Sequence, residues 1–140
     1  MKNAKRIARE LKERYDTEDP FQIAEYLGIH VQTGPLGNIS GCCLRIAGNK
    51  FIYINSDCPF SAKKVIAAHE LGHAVMHNED YYFFSWEKSL PKNKAEMQAN
   101  AFAAELLIPT NAILDNPGMT IGQLARLTGC TERLLNFKKL

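Results

Sequence analysis

The chain has little that would tie it to a membrane or to a nucleic acid. None of its apolar runs approaches the ~20 residues a spanning helix needs, which excludes a helical transmembrane protein. Its formal net charge is only +2, so no excess of one sign draws it to DNA, RNA or an anionic lipid surface. The opening Met1-Lys2-Asn3-Ala4-Lys5-Arg6 leads into a charged amphipathic pattern and lacks the apolar centre of a secretory signal. Cysteine is sparse: Cys42, Cys43, Cys58 and Cys130 include no pair at two-residue spacing, and two are adjacent, which suits neither a disulfide loop nor a zinc knuckle. They read as reduced thiols filling small apolar spaces. Repeats, low-complexity tracts and linkers are also missing. The expectation is a cytoplasmic protein with one domain over residues 1–140, long enough for a real core and too short for two. Neither nucleic acid nor membrane is expected as a direct partner.

What is present is ordinary globular patterning, 46% hydrophobic and 23% charged. Residues 3–15 set Ala4, Ile7, Ala8, Leu11 and Tyr15 at helical period, opposite Lys5, Arg6, Arg9, Lys12 and Glu13 on a face read as solvated. Asp19-Pro20 is an N-cap followed by a first-turn proline; Phe21, Ile23, Ala24 and Leu27 make a short helix that Gly28 ends. Ile29–Thr33 is strand-like and Gly34-Pro35-Leu36-Gly37 breaks it. Runs from Ile39 to Ile46 and from Lys50 to Ile54 follow, with Gly48-Asn49 suited to a tight hairpin turn and both faces of the second strand covered. Ser61 is the expected cap of the next helix. Residues 79–93, with Tyr81, Tyr82, Phe83, Phe84 and Trp86, show no clean period, and either line a pocket or fold over the core as a lid.

The chain is organised around His69-Glu70-Leu71-Gly72-His73. Histidines four apart on a helix share one face about 6 Å apart along the axis, close enough for both imidazoles to reach one zinc ion at ~2.0–2.1 Å. Glu70 is turned about 100° away, so it flanks the metal and is placed to take a proton from water there. Chance would put this pattern in so short a chain well under ~1% of the time. Val65, Ile66, Ala67, Ala68, Leu71, Ala74, Val75 and Met76 wrap the helix on nearly every side. Ionisable groups buried there need a compensating partner, and a metal is one. A sheet edge beside such a helix would hold a peptide extended, although the pattern does not say which strand it is.

The second helix that matters runs from Lys94 to Ile108, with Ala95, Ala99, Phe102, Ala103, Leu106 and Leu107 as its buried stripe and Pro109 as its stop. Glu96 borders that stripe and is assigned as the third ligand, against the plainer reading of a first-turn carboxylate at the helix dipole. Asn100, one turn on, is placed to hydrogen-bond a ligand imidazole. Glu105 falls on another face and is expected in solvent. His77 would sit ~12 Å along a straight helix from His69, too far to share the ion, and reads as a supporting or structural histidine. Residues 119–137 outline a small helical pair around Gly129, read as packed on the core because its second helix is too poor in basic residues to read DNA.

With both helices in view, the chain resembles the ImmA/IrrE family of bacterial and phage metallopeptidases. The likeness lies in His69–His73, in Glu96-Met97-Gln98-Ala99-Asn100-Ala101-Phe102-Ala103-Ala104-Glu105-Leu106-Leu107-Ile108-Pro109, in Asp19–Ala24, in Ile54-Asn55-Ser56 and in the tail from Thr120 to Leu135. The resemblance implies an α+β, gluzincin-like domain with a small β-sheet packed against helices. It implies one Zn2+ held by His69, His73 and Glu96, with Glu70 as the general base of peptide hydrolysis. Asn100 matches the place where related zinc peptidases carry an outer aspartate; Gln98 departs from relatives that are acidic there, and a longer member's regulatory extension is not expected. Such peptidases cleave helix-turn-helix repressors encoded beside them, relieving repression of mobile elements or stress genes. The alternative is a non-catalytic, zinc-containing anti-repressor module that binds the repressor without cutting it. The donor to the oxyanion, a tyrosine of the 81–82 region in this reading, is unassigned.

Overall fold

The computed structural model describes residues 3–77, 81–84 and 94–138, the segment 81–84 by its backbone. Helix α1 (Ala4–Tyr15) starts where the Asn3 side chain accepts from the Arg6 N–H, and ends at Asp16 in the left-handed region. Helix α2 (Pro20–Tyr26) has Asp19 as its cap, accepting from the Phe21 N–H, with the proline at the first position where no N–H is needed. Strand β1 (His30–Gly34) follows, then the hairpin of β2 (Gly41–Ile46) and β3 (Asn49–Asn55), and the long helix α3 (Phe60–Met76). Strand β4 (Tyr81–Phe84) precedes α4 (Lys94–Leu107), and three short helices close the order: α5 (Thr110–Leu114), α6 (Ile121–Thr128) and α7 (Glu132–Leu135). The architecture is α+β, a small sheet packed on helices.

The sheet order is β1-β3-β2-β4. β1 runs parallel to β3, with Val31 opposite Ile52; β2 is antiparallel to both β3 and β4, with Cys43 opposite Ile52 and Gly41 opposite Phe84. Ile52 and Ile54 are buried while Phe51 and Tyr53 are half-buried, so one face of β3 is fully covered and the other only in part. The hairpin turn falls one residue earlier than expected: Ile46 pairs with Asn49, and the two left-handed residues are Ala47 (φ 52) and Gly48 (φ 83). Two left-handed turn residues match the twist of the strands they join, and the pairing register places one of them on an alanine. Likewise β2 begins at Gly41 and not at Ile39. The residues before it form a loop closed by Asn55, whose buried amide donates to the Gly37 and Ile39 carbonyls at 3.0 Å while its oxygen accepts from the Asp57 N–H at 2.9 Å.

Helix α3 runs through the centre, buried without a break from Val65 to Ala74. Its cap is Pro59 with no side-chain hydrogen bond, so Ser61 is not the cap; it is an exposed residue inside the first turn. Helix α4 lies against α3 on one side and α1 on the other. Gly129, left-handed at φ 74, ends α6 and turns the chain into α7, whose Leu134 and Leu135 are buried. α6 has no buried residue and meets the core through half-buried Leu124 and Ala125. All four cysteines are free thiols, and burial pushes the Cys43 thiol up to about 12, as expected of inert apolar filler.

Glu105 corrects the sequence reading. Far from facing solvent, it is 2% exposed. Lys138 Nζ donates to its Oε2 at 2.9 Å, Arg9 Nε lies 3.4 Å from the same oxygen, and Lys12 Nζ donates to its backbone carbonyl at 2.9 Å. Part of the supposedly solvated face of α1 is therefore spent on anchoring α4. Burial alone would raise the Glu105 carboxyl, but the hydrogen bonds and charge of Lys138 and then Arg9 outweigh it and hold the group below its ordinary value. A carboxyl lowered on folding adds stability above its unfolded value near 4.5, and that contribution is lost as the pH falls through the lower folded value. Lys138→Met should cost about 3–5 kcal/mol by leaving a buried carboxylate poorly paired. Denaturant titrations across acid pH should show the variant losing part of the wild type's acid-side slope.

Candidate metal centre

Helix geometry sets the first two donors. His69 and His73, one turn apart on α3, are 1% and 0% exposed, with ring centroids 4.9 Å apart. Helix α4 brings Glu96 across from them. His69 Nε2 lies 3.0 Å from Glu96 Oε2, and His73 Nε2 lies 2.9 and 2.8 Å from Glu96 Oε1 and Oε2. Among the described residues these three form the one group of histidine, cysteine and acidic side chains whose ligand atoms, all within 4.8 Å of one another, could hold a metal ion. Burial pushes the His73 imidazole down to about 4. For Glu96 burial acts upward, but hydrogen bonding to His69 and His73 outweighs it and holds the carboxyl at about 2.

The proton positions fit a cation. Asn100, one turn after Glu96, sets its Oδ1 2.8 Å from His69 Nδ1. An amide oxygen only accepts, so Nδ1 carries the hydrogen and a neutral His69 keeps its Nε2 lone pair for the side facing Glu96. A lone pair directed at a carboxylate is repulsive unless a proton or a positive ion lies between them. Two nitrogens and a carboxylate form a usual donor set for zinc, and a histidine ligand whose other nitrogen donates to an oxygen is the usual outer support.

Glu70 follows His69 on α3 and stands outside this cluster. It is 0% exposed, and neither carboxylate oxygen has a hydrogen-bond partner among the described residues. Burial, with a smaller contribution from the Glu96 charge, pushes its carboxyl well above the ordinary range. Two glycines set how closely the elements meet here. A Cβ on Gly72 would lie 3.1 Å from Phe102 Cδ1, so its absence lets α4 press against α3 at the residue before His73. A Cβ on Gly41 would lie 2.5 Å from Ile66 Cγ2 and 3.5 Å from Glu70 Cγ, so β2 can pass directly over the glutamate. Gly72→Ala should cost about 1–3 kcal/mol in a denaturant titration and weaken metal binding by moving α4 outward. Unchanged stability would mean that the Phe102 ring swings aside.

Glu105, nine residues along α4 from Glu96, takes no part in the cluster. His77 lies beside His73, its Nδ1 2.9 Å from His73 Nδ1, in a supporting place rather than as a third imidazole ligand. The sequence reading missed β4: its four consecutive aromatics hide any alternation, and its pairing with β2 spans some 40 residues. The rest of the aromatic stretch, including Trp86, and the side chains of Tyr81 and Tyr82 lie outside the described residues, and with them the pocket, lid and oxyanion-donor readings.

A peptidase-family model described as the IrrE N-terminal-like domain matches residues 24–138. The chain belongs to that family. The matched residues run from α2 to the last described residue and include every member of the cluster. The chain is also similar, at 32% identity over 140 residues, to a Bacillus phage phi105 protein named "Uncharacterized immunity region protein 2", covering 97% of this chain and 89% of that one. No helix among the described residues is long and apolar enough to cross a membrane.

Proposed function

We propose that the chain is a zinc-dependent endopeptidase acting on a helix-turn-helix repressor encoded beside it. One conjunction carries the reading: three converging ligand atoms within 4.8 Å, and beside them a fully buried carboxylate with no partner among the described residues. His69, His73 and Glu96 would hold the ion. Bound there, a divalent cation would supply Lewis acidity, making water a stronger acid and a peptide carbonyl a better electrophile. Glu70 serves as the base. A carboxylate beside the ion can take a proton from attacking water and return it to the departing amine. The apolar packing of α3 around Glu70 keeps bulk water from competing for that proton. An extended substrate would add along the outer edge of β4, which pairs with no further strand among the described residues.

The substrate class is supported by the likeness to ImmA/IrrE peptidases and by the phage relative, whose name places it in an immunity region. The test mixes the purified chain with the repressor encoded beside it, with and without a chelator. Repressor fragments that appear only without chelator support cleavage. An intact complex that co-elutes, with no fragments under either condition, would replace this reading by repressor capture.

A further inference from the structure

We propose that Gln98, acting through His77, is a positioning residue that fixes the proton of His73 on Nδ1 and so reserves the Nε2 lone pair for the ion. The inference rests on the metal-centre reading above and extends it to two residues outside the ligand set. Helix α3 ends at Met76, and its C-cap His77 has turned to extended backbone (φ −121, ψ 153) while its N–H still donates to the His73 carbonyl at 2.9 Å. That turn brings the His77 ring beside His73, with centroids 5.0 Å apart and the two Nδ1 atoms 2.9 Å apart. The far nitrogen, His77 Nε2, lies 2.9 Å from Gln98 Oε1 on α4.

The direction of every hydrogen bond in this chain follows from its end. An amide oxygen only accepts, so His77 Nε2 carries the hydrogen. A neutral imidazole has one N–H, so His77 Nδ1 is an acceptor, and His73 Nδ1, facing it, must donate. His73 Nε2 is left with a lone pair, and that is the atom 2.8 Å from Glu96 Oε2. Two residues and two hydrogen bonds thus do for His73 what Asn100 does for His69 with one. They also tie the C-terminal end of α3 to the first turns of α4, the two helices that carry the ligands. If the Gln98 amide nitrogen faced His77 instead, each step would reverse and a proton would sit on the ligand atom. A carboxylate at position 98 could only accept.

The test titrates the full, metal-stripped chain with Zn2+ against a chromophoric chelator. Gln98→Leu and His77→Phe should weaken zinc binding by about 10–100-fold, the usual effect of losing such a support. Gln98→Glu, which keeps an acceptor, should bind as tightly as wild type or more so. The metal-free variants should still melt cooperatively within about 10 °C of metal-free wild type, which separates loss of the relay from loss of fold. Ring-nitrogen NMR shifts of the zinc-loaded wild type should show His77 protonated on Nε2 and His73 on Nδ1, and this arm needs no variant. Wild-type affinity in Gln98→Leu, or a proton on His77 Nδ1, overturns the relay alone. Failure of the wild type to bind zinc overturns the metal centre as well.

Discussion

Glu70→Gln is expected to leave zinc binding close to wild type and to cut repressor hydrolysis by about 10²–10⁴-fold, the usual contribution of a positioned acid–base group. Glutamine has the volume and shape of glutamate, so the packing of α3 under β2, set by the close approach at Gly41, is unchanged. What is lost is the capacity to take a proton. The side chain is wholly buried and is not part of the ligand cluster, so affinity for the ion has little reason to fall. The metal-free variant should be at least as stable as wild type, because both carboxylate oxygens lack partners among the described residues and a neutral amide is less costly to bury. Three measurements check this: zinc affinity by chelator competition, cleavage rate on a gel, and the melting temperature of the stripped protein. Full cleavage in the variant would remove Glu70 from the mechanism, and loss of zinc would make it a ligand.

Glu96→Ala and Glu105→Ala should fail in opposite ways, although both carboxylates sit on α4. Without Glu96, two imidazoles remain and zinc affinity should fall by more than about 100-fold, beyond the range seen for supporting residues. The metal-free chain should lose about 1–3 kcal/mol, less than in Glu105→Ala, since hydrogen bonding to His69 and His73 outweighs burial and holds the Glu96 carboxyl below its ordinary value. Without Glu105, zinc binding should persist, while the fold loses about 3–5 kcal/mol because Lys138, whose side chain is 1% exposed, is left as an uncompensated buried charge. Zinc titration and denaturant unfolding on the two variants give four numbers. Equal zinc affinity in Glu96→Ala and wild type would dissolve the proposed centre.

The two glutamates also show what could be read in advance. Glu96 was legible because it borders an apolar stripe in the helix following the histidine motif, where a lone carboxylate needs a positive partner. Glu105 was misread because its partners, Arg9 and Lys138, lie 96 and 33 residues away, and no local pattern announces them. His77 was excluded from the ion by helical rise alone. That it turns back to meet His73 depends on the helix ending at Met76, one residue earlier. The hairpin was legible as a turn, but its register was not: Ala47 takes the left-handed conformation because the pairing of Ile46 with Asn49 requires it. Pro59 rather than Ser61 starts α3 for a comparable reason, since the exit of the chain from β3, held by Asn55, decides where the helix can begin.

By itself the amino-acid sequence determined the histidine pair, the flanking glutamate and the helical carriers of both, because spacing along one helix is a local property of 3.6 residues per turn. It also holds no apolar run approaching the ~20 residues of a spanning helix. Only the tertiary structure decided which carboxylate of α4 meets the imidazoles, which one is spent on a buried ion cluster, and how Asn100 and His77 reach the rings of His69 and His73. Those outcomes depend on where α4 crosses α3, and that crossing is set by contacts such as Gly72 on Phe102, between residues 30 apart in the chain.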